Sequence, residues 1–487
     1  MSKRILAIDF GASSGRAIVG TFDGEKIKME EVHRFSNDPV QIGGTVYWDV
    51  LRLFYEIKQG IMKAAEGGRI DSVGIDTWGV DFGLIDKNGD LLENPVHYRD
   101  ARTAGLVKEC GSIIPNEEFY GRTGIQFLDL NTVYQLYSLK KERPYILERT
   151  DKLLFMPDLF GYFLTGKMTT EYSIATTSQM VDIKTKTWAN DLLEKLGIPS
   201  SIMCDIRPSG SVLGKIRKEI CEECGIEPVD VISVCGHDTQ SAITAVPSSE
   251  KDFAFLSSGT WSLFGTELDT PVVTDESRAL NITNEGGYGS KVGFLKNITG
   301  LWLIQESRRH WNRHGNNYSY ADLEALARKA EPFKCFINPD APEFLPHGNI
   351  PGRIREFCQR TGQPVPENPG EVMRCIYESL AFKYRQTLES IEKCTGKTYP
   401  VIHIIGGGTK DTFLSGLTAC STGRKVISGP VEATVFGNLA VQLLSCGDIK
   451  SIEEARQVIA RSEGVKQFMP ENTDEWNKNY DKFLKIM

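Results

Sequence analysis

Apolar and polar positions follow two different periods along the chain, and their alternation predicts an α/β protein. Short apolar runs such as RILAIDF at 4–10 and VISV at 231–234 are typical of buried strands. Apolar residues at helical spacing predict a long helix over 370–394. The Pro- and Gly-rich stretch at 332–370 predicts surface loops. Because strand-like and helix-like segments alternate throughout, we expect α/β architecture.

The length of the chain predicts more than one domain. At 487 residues it exceeds the size at which a single core stops growing. A short internal echo suggests two similar halves, since ASSGRAIVGTF at 12–22 resembles LSSGTWSLFGT at 256–266. We therefore expect domains at 1–245 and 246–487. The first would end just after Asp238, beside a cleft between the domains, where ligand sites are frequent.

Composition and charge favour a cytoplasmic enzyme that acts on small molecules. The net charge of −8 offers no basic patch, so nucleic acid and anionic membranes are not expected partners. The N-terminal residues enter a strand without a signal-peptide pattern, and no stretch approaches the ~18 apolar residues of a membrane span. The eleven scattered cysteines are typical of reduced thiols in a cytosol. A monomer or homodimer is expected.

The stretch VCGHDTQSA at 234–242 places a carboxylate, Asp238, directly after a buried strand. Open α/β sheets carry ligand sites at this end of their strands, which makes Asp238 a candidate general base. With an unperturbed pKa near ~3.9 it would be ionised at neutral pH. A plain Gly-Asp turn would explain the same residues. The neighbouring His237 is an alternative base, because its pKa suits proton transfer.

The turn GASSG at 11–15 admits two interpretations. It fits the G-x-S-x-G elbow of a serine hydrolase with Ser13 as nucleophile, but that motif needs a following helix and the next residues are strand-like. The alternative is a phosphate-binding hairpin, in which the Ser13 and Ser14 hydroxyls and exposed N–H groups donate to phosphate oxygens. Arg16 would add a cation, and Asp9 at the strand end would hold a hydrated Mg²⁺.

The second half offers similar chemistry. Ser-Ser-Gly at 257–259, followed by Thr260, supplies a second donor-rich hairpin that could clamp the same phosphate chain. The cluster GGGTKD at 406–411 leaves a flat surface suited to adenine or ribose, although a tight strand–helix turn would look the same. None of the glycine clusters has P-loop or G-x-G-x-x-G spacing, so neither of those nucleotide sites is predicted.

A zinc site is a further possibility that the sequence disfavours. Cys221 and Cys224 could join Cys235 and His237 around a metal ion. However, the CEEC motif falls in a helical pattern and no second CxxC exists in the chain. Structural thiols are therefore expected.

Five segments occur in one order between residue 4 and about residue 445: DFGASSGR, PDLFGYFLTG, GHDT, LSSGTWS and IIGGGTKDTFLSGLTA. Together they resemble the FGGY family of carbohydrate kinases. The resemblance implies an actin/Hsp70-like (ribonuclease H-like) fold of two domains around an ATP and sugar cleft. The first domain would carry the sugar site and the first phosphate hairpin, and the second would carry the ATP site and the second hairpin.

Within the family, GIDTWGVDFGLID at 74–86 and LKNITGLWLIQ at 295–305 resemble the members that phosphorylate L-rhamnulose. The implied reaction moves the γ-phosphoryl of ATP, with Mg²⁺, to the 1-hydroxyl of L-rhamnulose in L-rhamnose catabolism. Asp238 is then the base. The implied sugar contacts are Gly79, His237, Asp238, Thr239 and Asn297. The implied ATP contacts are Ser13, Ser14, Gly15, Arg16, Thr260, Gln305 and Gly407.

Several alternatives stay open. Trp78 and Asp81 are further candidates for the sugar pocket, although core packing explains Trp78 equally well. L-fuculose and L-xylulose differ from L-rhamnulose by a stereocentre or a methyl group, and a hydrophobic pocket discriminates a methyl group by only ~1–3 kcal/mol. An ATP-driven binding protein without small-molecule turnover is a third class, but it has no use for Asp238 and its sugar-pocket motif.

Overall fold

A computed structural model describes residues 2–487. Its strands are β1 (Lys3–Phe10), β2 (Ser14–Phe22), β3 (Ile27–Ser36), β4 (Val40–Ile42), β5 (Thr45–Tyr47), β6 (Ser72–Thr77), β7 (Phe82–Ile85), β8 (Lys152–Phe155), β9 (Thr170–Glu171), β10 (Val181–Asp182), β11 (Thr187–Trp188), β12 (Ile206–Arg207), β13 (Ser211–Lys215), β14 (Asp230–Ser233), β15 (Ala254–Ser258), β16 (Trp261–Leu268), β17 (Thr283–Gly286), β18 (Val292–Thr299), β19 (Val401–Ile405), β20 (Lys425–Ser428) and β21 (Lys466–Phe468).

Its α-helices are α1 (Val50–Glu66), α2 (Leu106–Gly111), α3 (Asn116–Thr123), α4 (Thr132–Glu142), α5 (Pro144–Arg149), α6 (Met156–Thr165), α7 (Tyr172–Thr177), α8 (Asn190–Leu196), α9 (Lys218–Cys224), α10 (Asp238–Thr244), α11 (Asp275–Ala279), α12 (Trp302–Arg313), α13 (Tyr320–Lys329), α14 (Ile350–Arg360), α15 (Pro369–Thr395), α16 (Thr412–Thr422), α17 (Ala433–Cys446), α18 (Ile452–Ser462) and α19 (Thr473–Leu484).

The chain divides into two compact units, each assembled from separate stretches of sequence. Unit 1 comprises the chain up to Ser249, Glu267–Phe294 and Ala433–Glu463. Unit 2 comprises Glu250–Thr266, Leu295–Glu432 and Gly464–Met487. The domain boundary between residues 245 and 246 stays a prediction.

Unit 1 is built around a six-stranded sheet in the order β13-β14-β6-β1-β2-β3. β1 is antiparallel to β2 and parallel to β6, and β6 is parallel to β14. Residues 5–8 of β1 are all buried, which explains why the strand is a continuous apolar run instead of an alternating one. The carboxyl ends of the three parallel strands lie at one edge of the sheet, so the loops that follow them meet there.

One helix, α17, packs against both β1 and β6 and positions the elements of that edge. Gly74 in β6 allows a close approach, because an added Cβ would lie 2.6 Å from Asn438 Oδ1 of α17. α10 crosses α17 so closely that a Cβ on Gly437 would overlap the backbone of Ser241. Helix α10, which begins with Asp238, and strand β6 therefore both pack against α17.

Unit 2 is built around a sheet in which β18, β16, β15, β19, β20 and β21 follow one another. β15 is antiparallel to β16 and parallel to β19, and β19 is parallel to β20. The long helix α15 confirms the prediction of a helix over 370–394. It begins after Asn368, whose side chain accepts Glu371 N at 3.1 Å, and ends at Gly396 in the left-handed conformation.

The prediction that residues 332–370 are only loops is wrong, because α14 lies within that stretch. Ile350, Ile354, Phe357 and Cys358 are buried on one face of this helix. Its proline falls in the first helical turn, where a missing N–H costs nothing. The local Pro and Gly content therefore hid a short amphipathic helix.

Both sheets contain an antiparallel hairpin followed by parallel strands, which agrees with the expectation of two similarly built halves. The Ser-Ser-Gly motifs, however, stand at different points of the two hairpins. Ser14 begins β2, after the turn, whereas Ser257 and Ser258 end β15, before the turn. The two Ser-Ser-Gly motifs therefore do not occupy equivalent positions in the two hairpins.

Candidate functional site

Three carboxylates of unit 1 stand at the carboxyl ends of neighbouring parallel strands. Asp9 on β1 and Asp76 on β6 are direct register partners. Asp238 begins α10 shortly after β14, and Thr77 at the end of β6 donates its N–H to Gly236 O at 2.9 Å. The negative charge of Asp9 raises the pKa of both other carboxyl groups. The three carboxylates are therefore close enough to influence one another's protonation.

Asp238 has the exposure and the acidity that a general base needs. Its side chain is 31% exposed, and its Oδ1 accepts the Thr239 hydroxyl at 3.2 Å. Burial raises the pKa of Asp238 to about 6, aided by Asp9 and opposed by His237. The carboxylate is thus still ionised at neutral pH, but it binds a proton more readily than an ordinary aspartate, which favours base catalysis.

His237 lies between two carboxylates. Its Nδ1 is 3.1 Å from Glu285 Oε2, and its Nε2 is 3.6 Å from Asp238 Oδ1. Burial alone would lower the pKa of His237, but Glu285 and Asp238 raise it above its ordinary value. An imidazole that prefers to keep its proton is a poor base, so the geometry favours Asp238 over His237 in that role.

Gly79 lies directly beside His237. A Cβ at Gly79 would be 3.4 Å from His237 Nε2 and 3.2 Å from Thr177 Cγ2, so a larger residue would fit only tightly here. The next residue, Val80, has φ of 68°, which is strained for a β-branched side chain. Its N–H donates to Thr177 Oγ1 at 3.1 Å, and its carbonyl accepts the Thr132 hydroxyl at 2.6 Å. Such enforced strain is typical of functional sites.

The structure thus brings four of the five predicted sugar contacts together in unit 1, namely Gly79, His237, Asp238 and Thr239. The fifth, Asn297, is half-buried on β18 and belongs to unit 2.

A buried glutamate, Glu171, holds the turn that presents Asp238. Its carboxylate accepts Gly236 N at 2.9 Å, Ser173 N at 2.9 Å and the Ser173 hydroxyl at 2.6 Å. Ser173 Oγ in turn accepts His237 N at 3.2 Å. Sequence reasoning missed both Glu171 and Glu285, because each reaches the site from a distant element and neither follows an apolar strand of the main sheet.

The first hairpin presents its serines as predicted. Ser13 is exposed and Ser14 is half-buried. The turn is anchored by Asn37, whose N–H donates to Ser13 O at 3.1 Å. Gly15 is required by a close approach, since a Cβ there would overlap the Phe35 ring. The hairpin is therefore a fixed loop with exposed hydroxyl donors.

Arg16 and Asp9 contact each other. Arg16 Nη2 donates to Asp9 Oδ2 at 2.5 Å, and both side chains are largely buried. The predicted phosphate cation and the predicted Mg²⁺ carboxylate therefore belong to one charged pair at the base of the hairpin.

Asp76 is a candidate residue that sequence reasoning missed. It is fully buried, and its Oδ2 accepts Asn438 Nδ2 at 2.5 Å. Within residues 2–487, its Oδ1 has no hydrogen-bond donor. Burial, together with the neighbouring Asp9, raises the pKa of Asp76 well above its usual range. Asp76 follows an apolar strand, as Asp9 and Asp238 do, so the same signal could have identified it.

The unsatisfied oxygen of Asp76 beside Asp9 fits a hard divalent cation. Mg²⁺ prefers carboxylate oxygens and binds through one or two of them together with waters and phosphate oxygens. The charge of a bound cation would also favour the ionised form of Asp76. The donor set of Asp9 and Asp76 is therefore suited to Mg²⁺.

In unit 2 the second hairpin and the glycine cluster are adjacent. Thr260 Oγ1 donates to Gln305 Oε1 at 3.2 Å. A Cβ on Gly408 would overlap the Ser258 side chain, so the glycine cluster packs directly on the end of β15. Gly407 is exposed beside it. The ATP contacts predicted for unit 2 thus share one edge of its sheet.

Trp78 and Asp81 are more buried than a direct sugar contact requires. Asp81 is 0% exposed and Trp78 is 6% exposed. Asp81 therefore has no exposed surface of its own, and Trp78 exposes at most an edge.

Within residues 2–487, the cysteines with metal-binding spacing are not those of the CEEC motif. Cys221 and Cys224 are buried in α9, as structural thiols would be. Among the described residues, the one cluster of His, Cys or acidic side chains with metal-binding spacing is Cys335, Cys358 and Cys375 in unit 2. Over the same range, every helix is too short or too polar to cross a bilayer.

Comparison with known proteins gives matches along nearly the full chain. Models of the FGGY family of carbohydrate kinases match residues 4–245 with the N-terminal domain and 254–446 with the C-terminal domain. A protein named Rhamnulokinase from Bacteroides thetaiotaomicron is 42% identical over 484 residues, which cover 99% of each chain. Another of that name from Halalkalibacterium halodurans is 44% identical over 465 residues, covering 95% of this chain and 98% of its own.

Two solved structures share the fold. A ligand-bound xylulose kinase from Lactobacillus acidophilus has a TM-score of 0.83 at 17% identity, covering 99% of this chain and 97% of its own. Glycerol kinase from Plasmodium falciparum with ADP has a TM-score of 0.81 at 17% identity, covering 99% and 98%. At this identity the likeness shows the fold alone.

Proposed function

The chain belongs to the FGGY family of carbohydrate kinases, and from that premise we propose that it transfers the γ-phosphoryl of ATP to the 1-hydroxyl of L-rhamnulose. The products are L-rhamnulose 1-phosphate and ADP. The observation that carries the substrate assignment is the 42% identity, over 99% of the chain, to a relative named Rhamnulokinase.

Asp238 acts as the base in this proposal. Phosphoryl transfer passes through a loose transition state, so the protein mainly positions the reactants and neutralises charge. The partly exposed carboxylate accepts the proton of the sugar hydroxyl and aligns its oxygen for in-line attack. His237 and Thr239 fix the carboxylate and, with Gly79 and Asn297, contact the sugar.

Both units contribute ATP contacts in the proposal. The exposed Ser13 hydroxyl, Ser14, Gly15 and Arg16 serve the phosphates from unit 1, and Thr260, Gln305 and Gly407 serve the nucleotide from unit 2. Asp9, with Asp76 beside it, would hold the Mg²⁺ that neutralises phosphate charge.

The rival functions have less support. The serine hydrolase needs a helix directly after the turn at 11–15, and the structure has the strand β2 there. Kinases for L-fuculose or L-xylulose remain the alternatives within the same chemistry. We further propose that the enzyme works in the cytoplasm as a monomer or homodimer, which light scattering coupled to size exclusion would distinguish.

An ADP-release assay with Mg²⁺ and ATP tests the proposal. Its panel contains L-rhamnulose, L-fuculose, L-xylulose and glycerol. We expect the highest kcat/KM for L-rhamnulose, by about tenfold over L-xylulose, which lacks the methyl group, since a methyl group is worth ~10–200-fold. L-fuculose has the methyl group but differs at a stereocentre, and we expect it to be turned over less efficiently than L-rhamnulose. Equal or better turnover of another ketose would contradict the substrate assignment, and no turnover of any sugar would contradict the reaction class.

A further inference from the structure

The carboxylate of Asp81 is a hub that accepts four hydrogen bonds. Its Oδ2 accepts Trp48 Nε1 at 2.6 Å, Trp78 Nε1 at 2.9 Å and Tyr98 N at 3.1 Å. Its Oδ1 accepts Gln135 Nε2 at 3.0 Å. A carboxylate that is fully buried costs stability unless it is saturated in this way. The sugar and ATP contacts described above do not use it.

Three of the four donors to Asp81 come from residues of a continuous group of rings, here called the aromatic wall: Trp48, Trp78, His97 and Tyr98. Ring centroids are 4.1 Å apart for Trp48 and Trp78, 4.1 Å for Trp48 and His97, and 4.5 Å for His97 and Tyr98. Burial lowers the pKa of His97 to about 4, aided by Arg99, so its imidazole is neutral. The wall is therefore an uncharged surface.

One edge of the wall adjoins the predicted sugar contacts. Trp78 is followed directly by Gly79, which lies against His237. Tyr98 is half-buried, and burial raises the pKa of its phenol, with smaller contributions from the negative charges of Asp81 and Asp238. Trp48 is fully buried and forms the back of the wall.

Asp81 also removes hydrogen-bonding capacity from the wall. Each indole has a single N–H donor, and both are used by Asp81. Trp78 can therefore offer only an apolar edge to a ligand. A hydroxyl placed against such an edge loses its water without gaining a partner, whereas a methyl group loses nothing.

We infer that Asp81 is a positioning residue that holds the aromatic wall in place as the apolar side of the sugar site, and that this wall selects a ketose with a terminal methyl group over one with a terminal hydroxymethyl group. The inference rests on the proposed function and deepens it, because L-rhamnulose is the 6-deoxy form of L-fructose.

The variant Asp81→Asn tests the inference. The amide keeps the shape, but its NH₂ group faces a donor in either orientation, and its neutral oxygen is a weaker acceptor for the indole N–H groups than the carboxylate. We expect KM for L-rhamnulose to rise by about tenfold, KM for ATP to stay within about threefold, and the kcat/KM ratio of L-rhamnulose to L-fructose to fall by about fivefold or more. Tryptophan emission should also shift, since the indole N–H groups no longer face a charged oxygen.

Glu378→Gln is the matched control. Glu378 is an equally buried carboxylate in unit 2, where it accepts Phe333 N at 2.8 Å and pairs with Arg374 at 2.5 Å. It should alter thermal stability without moving the sugar KM or the sugar ratio. An equal change of the ratio in this control would overturn the inference.

A second variant keeps the test decisive if Asp81→Asn does not fold. Trp78→Phe retains an aromatic ring and removes one donor to Asp81, and we expect the same loss of sugar discrimination to a smaller degree. A folded Asp81→Asn protein, or failing that a folded Trp78→Phe protein, whose sugar KM and sugar ratio stay within twofold of the parent would overturn the inference.

The outcomes also separate the inference from the proposed function. If the parent enzyme prefers L-rhamnulose and these variants change nothing, only the inference fails. If the parent prefers L-fuculose, the proposed function fails while the methyl selectivity stands, because L-fuculose also ends in a methyl group; if it prefers L-fructose or L-xylulose, both fail. The positioning role of Asp81 is then tested by comparing the KM for the preferred ketose between Asp81→Asn and the parent enzyme.

Discussion

The two hairpins, β1–β2 in unit 1 and β15–β16 in unit 2, occupy the same place in their sheets but carry different charges. Asp9 is the second-to-last residue of β1, and its register partner on the parallel strand β6 is Asp76. Ser257 is the second-to-last residue of β15, and its register partner on the parallel strand β19 is Ile405. The sheet order is thus repeated, whereas the carboxylates are concentrated in unit 1. This difference suggests that unit 1 handles the metal and the proton, and that unit 2 offers neutral small residues to the nucleotide.

The largest expected effect comes from the base in unit 1. We expect Asp238→Asn to lower kcat by ~10²-fold or more, because general base catalysis contributes ~10²–10⁴-fold. Binding of ATP should stay near normal, since Asp238 belongs to the proposed sugar site. Steady-state kinetics and nucleotide titration measure the two quantities. A nearly unchanged kcat would remove Asp238 from the mechanism.

A smaller effect is expected at the register pair that distinguishes the two units. Asp76→Asn removes a buried carboxylate beside Asp9, and we expect the Mg²⁺ concentration for half-maximal activity to rise by about tenfold. The control in unit 2 is Ser257→Ala, at the position of β15 that corresponds to Asp9, and it should leave the Mg²⁺ dependence unchanged. The claim that unit 1 alone binds the metal would be refuted if the parent and Asp76→Asn needed the same Mg²⁺ concentration. It would also be refuted if Ser257→Ala raised that concentration as much as Asp76→Asn does.

The hydroxyl donors of the two hairpins should behave alike. We expect Ser13→Ala and Thr260→Ala each to raise KM for ATP by about three- to tenfold, within the range for losing one ordinary hydrogen bond. KM for the sugar should change little in both variants. If only one of the two variants affects the nucleotide, the phosphate chain is bound by a single hairpin.

The smallest effect concerns pH. Protonated Asp238 cannot accept a proton, so kcat/KM should fall as pH drops through the pKa of about 6. His237 lowers the pKa of Asp238. In His237→Gln the fall of kcat/KM on the acidic side of the pH profile should therefore occur at a higher pH, by less than one unit. If kcat/KM of this variant falls at the same pH as in the parent, or at a lower pH, His237 does not lower the pKa of Asp238.

The sequence predicted those features that have a local signal. Asp238 and the first hairpin follow short apolar strands, and polar residues at the end of a buried strand indicate a site without further information. Asp76 shows the same signal, since it also follows a buried apolar strand. Helix α14 has a weaker signal, because proline and glycine are typical of loops, although proline is well tolerated in a first turn.

Other features depend on tertiary contacts that no local pattern encodes. Glu285 reaches His237 from the short strand β17, and Glu171 holds Gly236 from the start of α7. Asp81 was a candidate sugar contact in the sequence, and its complete burial among indole donors became visible only in the structure.

The position of the phosphate on the product tests the central claim most directly. The parent enzyme is incubated with L-rhamnulose, ATP and Mg²⁺, and the sugar phosphate is examined by proton-coupled phosphorus NMR. We expect one new signal coupled to a methylene pair, because carbon 1 is the only carbon of this sugar that bears a hydroxyl and two hydrogens. Coupling to a single methine proton, or ADP formation without any sugar phosphate, would contradict the account.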